Sequence, residues 1–411
     1  MSDLTNIKSK IFNDPLYGFI SIHRGIIFDV IEHPWFQRLR RINQLGLTNV
    51  VYTGANHTRF QHTLGAYHLM QQAIQVIRKK GHEVSDEEAE GVYLAILLHD
   101  IGHGPFSHTL EHSIIEGVSH EDISIQFMKK LSEEFNGALD LAISIFTNSY
   151  AKKYLHQLVS SQLDMDRLDY LMRDSFFTGV SEGVIGSERI IQMLDVADGN
   201  LVVEAKGIYS IEKFIIARRL MYWQVYLHKT VLSAESLLVR VMKRAAELER
   251  SGANLFGSPS LKFFMRQRIT KSDFENDPKV LQLFSQLDDF DLISAIKVWQ
   301  ESDDKVLSLL SIKLVQRKLL KVRFGDHKFS DLEINETVSS TAKLLGLSHQ
   351  DAEQFVIYGK VENRAFKPTS EHIDILHKDG TVHHIGQDAD LLNISVLSEP
   401  VIKHFMCFPV S

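Results

Sequence analysis

The sequence predicts a mainly α protein, with a helical core, small β-hairpin insertions and a mixed α+β C-terminal subdomain. Three observations support this. Apolar residues recur at helical spacing through most of the first two thirds of the chain; capping and stop signals bracket those stretches; and β-rich segments gather after about Leu320.

In chain order, Thr58 is placed to cap a helix running through RFQHTLGAYHLMQQAIQVIRKK to a glycine stop at Gly81, with His62 on its first turn. Ser85, with Glu88 three residues later, forms a capping-box pattern. It opens an apolar helix that reaches about Ile101, before the breakers Gly102, Gly104 and Pro105, so His99 and Asp100 fall at its C-terminal end. A third helix is expected from about Pro105, a fourth after Ser119 and a fifth over roughly Leu155 to Phe176. Asp198, Gly199 and Asn200 supply the turn of a small hairpin before LVVEA, and one long helix is expected from about Ser210 to Arg250. Glycine, serine and proline cluster in SGANLFGSPS, which divides a core of residues 1–250 from a C-terminal region of residues 251–411. That region is expected to serve oligomerisation and regulation. Its β signals are EQFVIYGKVE and a hairpin in HIDILHKDGTVHHI turning at Asp379 and Gly380.

Composition narrows the function classes. At 411 residues, 44% hydrophobic and 24% charged, the chain has ordinary globular values and room for two or three packed units. Its one cysteine, Cys407, forms no internal disulfide, and the N-terminal segment carries neither signal nor transit pattern, so a cytoplasmic setting is expected. Apolar runs such as Val92 to Leu98 fall far short of the roughly 20 residues that span a bilayer, so no membrane partner is expected. A net charge of -7 argues against broad, charge-driven nucleic-acid binding and leaves only local basic patches for such contacts.

The histidines point to chemistry. Nine of the 20 lie between His57 and His120, where an even spread would place about three. Imidazole both ligates divalent metals and exchanges protons near neutral pH. Within LLHDIGHGPFSHTLEH, His99, Asp100, His103, His108, Glu111 and His112 fall at turn or helical spacings. His68, His82 and His112 read more simply as hydrogen-bonded core residues. For His99 with Asp100 the balance reverses, because burying a carboxylate after the apolar run AILL costs several kcal/mol unless a cation or strong donors compensate. His383 and His384 alternate across a strand, so at least one faces solvent, and neither is assigned to a metal.

RFQHTLG, LLHDIGHGPFSH and LDMDRLDYLMRD resemble, in order and spacing, the H, HD and D motifs of the HD superfamily. Within it the chain is most similar to the deoxynucleoside triphosphate triphosphohydrolases, the bacterial dGTPases and the HD domain of the sterile-alpha-motif proteins. The resemblance runs from about Asn13 to Lys321 and includes NDPLYGFI, FQRLRRINQLG, ANHTRFQH, SHED, YLHK and RKLLK. It implies a metal set of His62, His99, Asp100 and Asp166. Asp164 competes with Asp166 within LDMDRLD, and the family pattern favours Asp166. Such a hard-leaning set suits Mn, Mg or Fe, with Zn or Ni as further options.

The implied reaction is metal-dependent hydrolysis at the α phosphorus of a dNTP, giving a deoxynucleoside and inorganic triphosphate. His108 resembles the general acid, while His103, His120 and Glu111 resemble the groups that contact phosphate and orient the histidines; the plainer role for His120 is capping beside Ser119. Arg59, Arg167, Arg218 and Lys229 match phosphate-binding positions, Arg167 replacing the lysine of animal members. Gln44, Leu45, Asp174 and Tyr226, with Tyr170 beside the sugar, match positions that select deoxyribose. The base stays open, with dGTP the first substrate to try.

The family also implies a homo-oligomer, a tetramer being favoured, with nucleotide activators. Arg40, Arg317 and Lys321 match activator-phosphate positions, and Glu32 stands where animal members have an aspartate reading guanine, which leaves the activator open. RKLLKVR reads equally well as an amphipathic helix end with a basic face. Two other functions compete: an HD phosphohydrolase acting on another nucleotide or a nucleic-acid end, and a nonhydrolytic nucleotide-regulated binding protein.

Overall fold

The computed structural model describes residues 9–106, 109–110, 117–363, 373–388 and 401–410. It is mainly helical, as the patterning predicts. A hairpin of β1 (Lys10–Asp14) and β2 (Gly18–Ile22) leads through α1 (Ile26–Glu32) and α2 (Pro34–Gln37) to α3 (Arg59–Lys79) and α4 (Asp86–Leu98). The Gln61 side chain returns to the Thr58 N–H at 2.8 Å, and the helix stops before Gly81, whose φ of +91° favours glycine. Ser85 and Glu88 cap α4 reciprocally, at 3.1 and 2.8 Å. Both helices bury residues around most of their circumference, so they form the centre of the core.

After α5 (His120–Glu134), whose cap is Ser119 with Asp122, come α6 (Asp140–Phe146), α7 (Lys153–Val159) and α8 (Met165–Thr178). The single fifth helix expected over this stretch is two. Asp164 ends the intervening turn by accepting the Ser161 and Arg167 N–H groups at 2.8 and 2.7 Å, and this local side-chain bonding displaces helix. The third helix expected from Pro105 lies largely outside the described residues.

Beyond α9 (Ser187–Met193), β3 (Leu194–Ala197) and β4 (Asn200–Glu204) form the expected hairpin. Asp198 and Gly199 both have positive φ, 50° and 77°, as a type I′ turn requires. The long helix that follows is also interrupted. It consists of α10 (Ile208–Met221), a π-helical turn over Tyr222–Tyr226, and α11 (Lys229–Arg250) capped by His228.

The main core continues past residue 250. Helices α12 (Pro259–Arg266), α13 (Lys271–Asn276), α14 (Pro278–Phe284), α15 (Asp289–Trp299) and α16 (Lys305–Val315) place Leu261, Phe264, Phe284, Ile296 and Leu310 in it. The remaining elements are β5 (Lys321–Gly325), α17 (Asp331–Leu345), α18 (His349–Glu353), β6 (Ile357–Asn363), β7 (Asp374–Leu376), β8 (Val382–His384), α19 (Ile385–Asp388) and β9 (Val401–Phe408). Val338 of α17, Ala352 of α18, Met406 of β9 and the turn residues Phe329 and Val356 form a smaller cluster, while Ile375 and Ile385 join the main core. Strands β5, β9 and β6 form one antiparallel sheet, whereas β7 adds in parallel to β4 and carries β8 on its outer edge. No helix among the described residues is long and apolar enough to cross a membrane.

RKLLKVR is not a helix end with a basic face. Helix α16 stops at Val315, and Arg317 turns the chain with φ 54° in a position where glycine is usual. Its N–H bonds Leu314 O at 3.2 Å, the Lys318 N–H bonds Lys313 O at 2.8 Å, and Arg317 Nε donates to Val50 O at 2.9 Å. Arg317→Gly is expected to raise stability by up to about 1 kcal/mol, because it relieves the left-handed strain. Chemical denaturation checks this; a fall would mean that the Val50 contact outweighs the strain.

Candidate active site

The first turn of α3, the turn after α4 and the first turn of α8 meet at one point. His62 Nε2 lies 3.0 Å from Asp166 Oδ1 and 3.7 Å from Asp100 Oδ2. His99 Nε2 lies 3.3 Å from Asp100 Oδ1 and 3.5 Å from Asp166 Oδ1. Each ring is aimed from behind: His62 Nδ1 faces Asp169 Oδ2 at 2.7 Å, and His99 Nδ1 faces Ile96 O at 2.6 Å. A carbonyl only accepts, so His99 carries its proton on Nδ1 and presents the Nε2 lone pair to the centre. Both Nε2 atoms are buried without a hydrogen-bond partner. Two such nitrogens facing two carboxylates fit a divalent cation.

Asp164 and Asp166 occupy different surroundings. Asp164 is fully buried and spends its carboxylate on capping α8 and on the Arg167 guanidinium. Burial pushes its carboxyl up to about 6 even against Arg167. Asp166 faces the two imidazoles; burial opposes its charge, but His62 and His99 hold it well below the usual carboxylate range. For Asp100, burial is likewise outweighed, by Arg59 and then His99. For His62 the loss of solvation is overcome by Asp166 and Asp169, which push the ring up to about 10.

A second row surrounds this centre. Arg59 pairs with Asp100 through Oδ2, and His103 Nε2 lies 3.3 Å from Asp100 Oδ1. His120 opens α5 and stacks on His103, with ring centroids 3.8 Å apart at 15°. It therefore reaches the site as well as adjoining the Ser119 cap. His108 and Glu111 lie outside the described residues.

From this centre opens a cavity of about 820 Å³, within the usual range for small-molecule sites. Gln44, Leu45, Arg59, Arg167, Tyr170, Asp174, Arg218 and Tyr226 all line it, together with His99, Asp100, His103, His120 and Asp166. Tyr226 Oη donates to Asp174 Oδ2 at 2.6 Å, while His57 Nε2 meets Asp174 Oδ1 at 2.8 Å. Arg218 donates to Gln162 Oε1 at 3.0 Å. Lys229, exposed at the start of α11, is not among the lining residues.

Sequence reasoning missed several residues that build the site. Asp169 bridges His62 to Arg173, which is completely buried and also bonds Asp14 Oδ2 at 2.8 Å. Its signal was the i, i+3 spacing from Asp166, which places both on neighbouring turns of α8. Asp289 accepts the Asn43 N–H at 2.8 Å and the Phe106 N–H at 2.7 Å, fixing both the loop that carries Gln44 and a left-handed Phe106 with φ 51°. Arg38 adds bonds to Leu287 O at 3.0 Å and Ile101 O at 2.7 Å. Glu235 lines the cavity near Thr109, and burial pushes its carboxyl up to about 7. No local pattern marked Asp289 or Glu235.

The residues matched to activator binding lie on the surface. Glu32 ends α1, and Arg40 donates to Gln37 Oε1 at 2.7 Å with its guanidinium 3.5 Å from the centre of the Phe60 ring. Arg317 forms the turn already described, and Lys321 begins β5 exposed.

A family model described as the HD domain matches residues 59–174, and one described as an HD associated region matches residues 185–256. The YwfO protein of Bacillus subtilis, itself uncharacterised, is 30% identical over 98% of this chain and 92% of its own length. A deoxynucleoside triphosphate triphosphohydrolase homologue from Dictyostelium discoideum is 31% identical over 58% of this chain, which spans half of that relative. The crystal structure of a phosphohydrolase from Bacteroides thetaiotaomicron superposes with a TM-score of 0.95 at 52% identity, covering 98% of this chain and all of that one.

Proposed function

The chain belongs to the HD-domain phosphohydrolase family, and from that premise we propose that it hydrolyses deoxynucleoside triphosphates at the α phosphorus, releasing a deoxynucleoside and intact triphosphate. What supports this over other HD substrates is one cavity joining His99, Asp100 and Asp166 to the linked Asp174 and Tyr226. A bound divalent ion would supply Lewis acidity at the α phosphate and acidify the attacking water. Around it, Arg59, Arg167 and Arg218 neutralise phosphate charge, and His103 and His120 contact phosphate oxygens. His108 protonates the departing 5′ oxygen, an assignment that rests on the family resemblance. Leu45 closes against C2′, and Asp174 with Tyr226 and Gln44 engages the 3′ hydroxyl, so that an added 2′ hydroxyl is rejected sterically. Lys229 joins this set only if it turns toward a bound triphosphate tail.

dGTP is the first substrate to try. Activation by a nucleotide held between subunits at Arg40, Arg317, Lys321 and Glu32, in a homotetramer, completes the proposal.

Product analysis with Mn or Mg and each dNTP, alone and mixed, with GTP as the ribose control, tests the reading. Deoxynucleoside plus triphosphate is expected from dNTPs and not from GTP, and turnover confined to mixtures would reveal an activator. Absence of turnover under every combination with metal bound would overturn the proposal. Tyr226→Phe removes the hydroxyl that steadies Asp174, a bond to a charged partner worth about 1.5–3 kcal/mol. A fall of roughly 10- to 100-fold in kcat/KM for dNTPs, with weaker dNTP over NTP preference, is the expected result. Unchanged kinetics would remove Tyr226 from the sugar site.

A further inference from the structure

The end of the chain carries a histidine cluster that the cavity does not use. The hairpin of β7 and β8 pairs Asp374 with His384, Ile375 with His383 and Leu376 with Val382. Its turn is firmly built: the His377 N–H bonds Thr381 O at 2.9 Å, and Asp379 Oδ1 accepts the Thr381 N–H at 3.0 Å and the Thr381 hydroxyl at 2.7 Å. Residues 375 and 377 share one face of the strand, and His383 stands opposite 375, so His377 and His383 are diagonal neighbours on that face. Their ring centroids lie 4.7 Å apart. The helical turn of α19 then brings Asp388 between them: His377 Nε2 meets Asp388 Oδ2 at 2.6 Å and His383 Nδ1 meets Asp388 Oδ1 at 3.1 Å.

We propose that His377, His383 and Asp388 form a second metal site, taking a borderline transition-metal ion such as Zn²⁺, independent of the catalytic cavity. The three ligand atoms already lie within 4.8 Å of one another. Tetrahedral bonds of about 2.0–2.1 Å set ligand atoms roughly 3.3 Å apart, so small side-chain rotations open the space the ion needs. Two imidazoles converge on this one carboxylate, whereas on the opposite face Asp374 meets the His384 ring at 2.6 Å. Two nitrogen donors and one oxygen favour zinc over magnesium or calcium, which prefer all-oxygen shells. Side-chain exposures of 32% for His377 and 45% for His383 leave the fourth coordination position open to solvent. Such an ion would brace β8 and α19 against the end of β7, the strand that pairs with β4 of the sheet rooted in the helical body.

Zinc bound per chain, measured by equilibrium dialysis and elemental analysis on the full-length protein, tests this. Wild type is expected to hold one equivalent more than His383→Ala and one more than Asp388→Asn. Co²⁺ should give an intense tetrahedral absorption band component that both variants lose. Both substitutions lie at the edge of the fold, and circular dichroism verifies that each variant is folded. Equal zinc stoichiometry in the three folded proteins would overturn the proposal, leaving Asp388 as the acceptor of two histidine hydrogen bonds.

Discussion

Asp100→Asn is expected to reduce kcat by at least about a thousandfold, since Lewis-acid catalysis supplies several kcal/mol and each 1.4 kcal/mol is tenfold in rate. The substitution preserves shape and leaves an acceptor for Arg59, but it removes one of the two carboxylates facing His62 and His99. Metal affinity should fall with turnover. The fold should persist, because the bonds behind the centre, from His62 to Asp169 and from Arg173 to Asp14, do not involve Asp100. Metal content, turnover across a metal titration and circular dichroism measure the three effects separately. Full metal-dependent hydrolysis by a folded Asp100→Asn protein would remove Asp100 from the metal set.

Gly65→Ala is expected to destabilise the protein by about 3–5 kcal/mol, the range for disrupting a buried ion pair. A β-carbon at this position would lie 2.0 Å from Asp169 Oδ1 and 2.2 Å from Arg173 Nη2. Both side chains are completely buried, and their bonds to His62 and Asp14 restrict where they can move. Overpacking therefore falls on the partners that orient His62. Since outer partners of metal-bound histidines typically contribute 10- to 100-fold in metal affinity, a loss of that size should accompany the instability. Denaturant unfolding and metal titration check both parts. A variant as stable as wild type would show that α3 and α8 separate at little cost.

The convergence of His62, His99, Asp100 and Asp166 was legible in the sequence because these residues sit in short segments whose structure is decided locally. Thr58 caps the helix carrying His62, and Ser85 with Glu88 starts the helix that ends before His99 and Asp100. Which aspartate faces the two imidazoles was less clear, since Asp164 and Asp166 are alike until Ser161 and Arg167 are seen to occupy Asp164. The break at Tyr222–Tyr226 was hidden for another reason: no glycine or proline marks it, and the π-helical turn is defined only by backbone bonding. Asp289 was beyond local reasoning altogether. Its partners Asn43 and Phe106 lie 246 and 183 residues away in sequence. Arg38 and Arg173 carry charges that composition assigns to the surface, yet both are completely buried, each bonded to acceptors brought in by distant segments.

Hydrolysis of a dNTP in ¹⁸O-labelled water, followed by ³¹P NMR and mass analysis of the products, tests the proposed reaction most directly. The proposal predicts intact triphosphate carrying one ¹⁸O on its former α phosphorus, and an unlabelled deoxynucleoside. Pyrophosphate with a labelled deoxynucleoside monophosphate would mean that pyrophosphate rather than the 5′ oxygen leaves the α phosphorus, and labelled orthophosphate with a diphosphate would place the attack at the γ phosphorus; either result would contradict it.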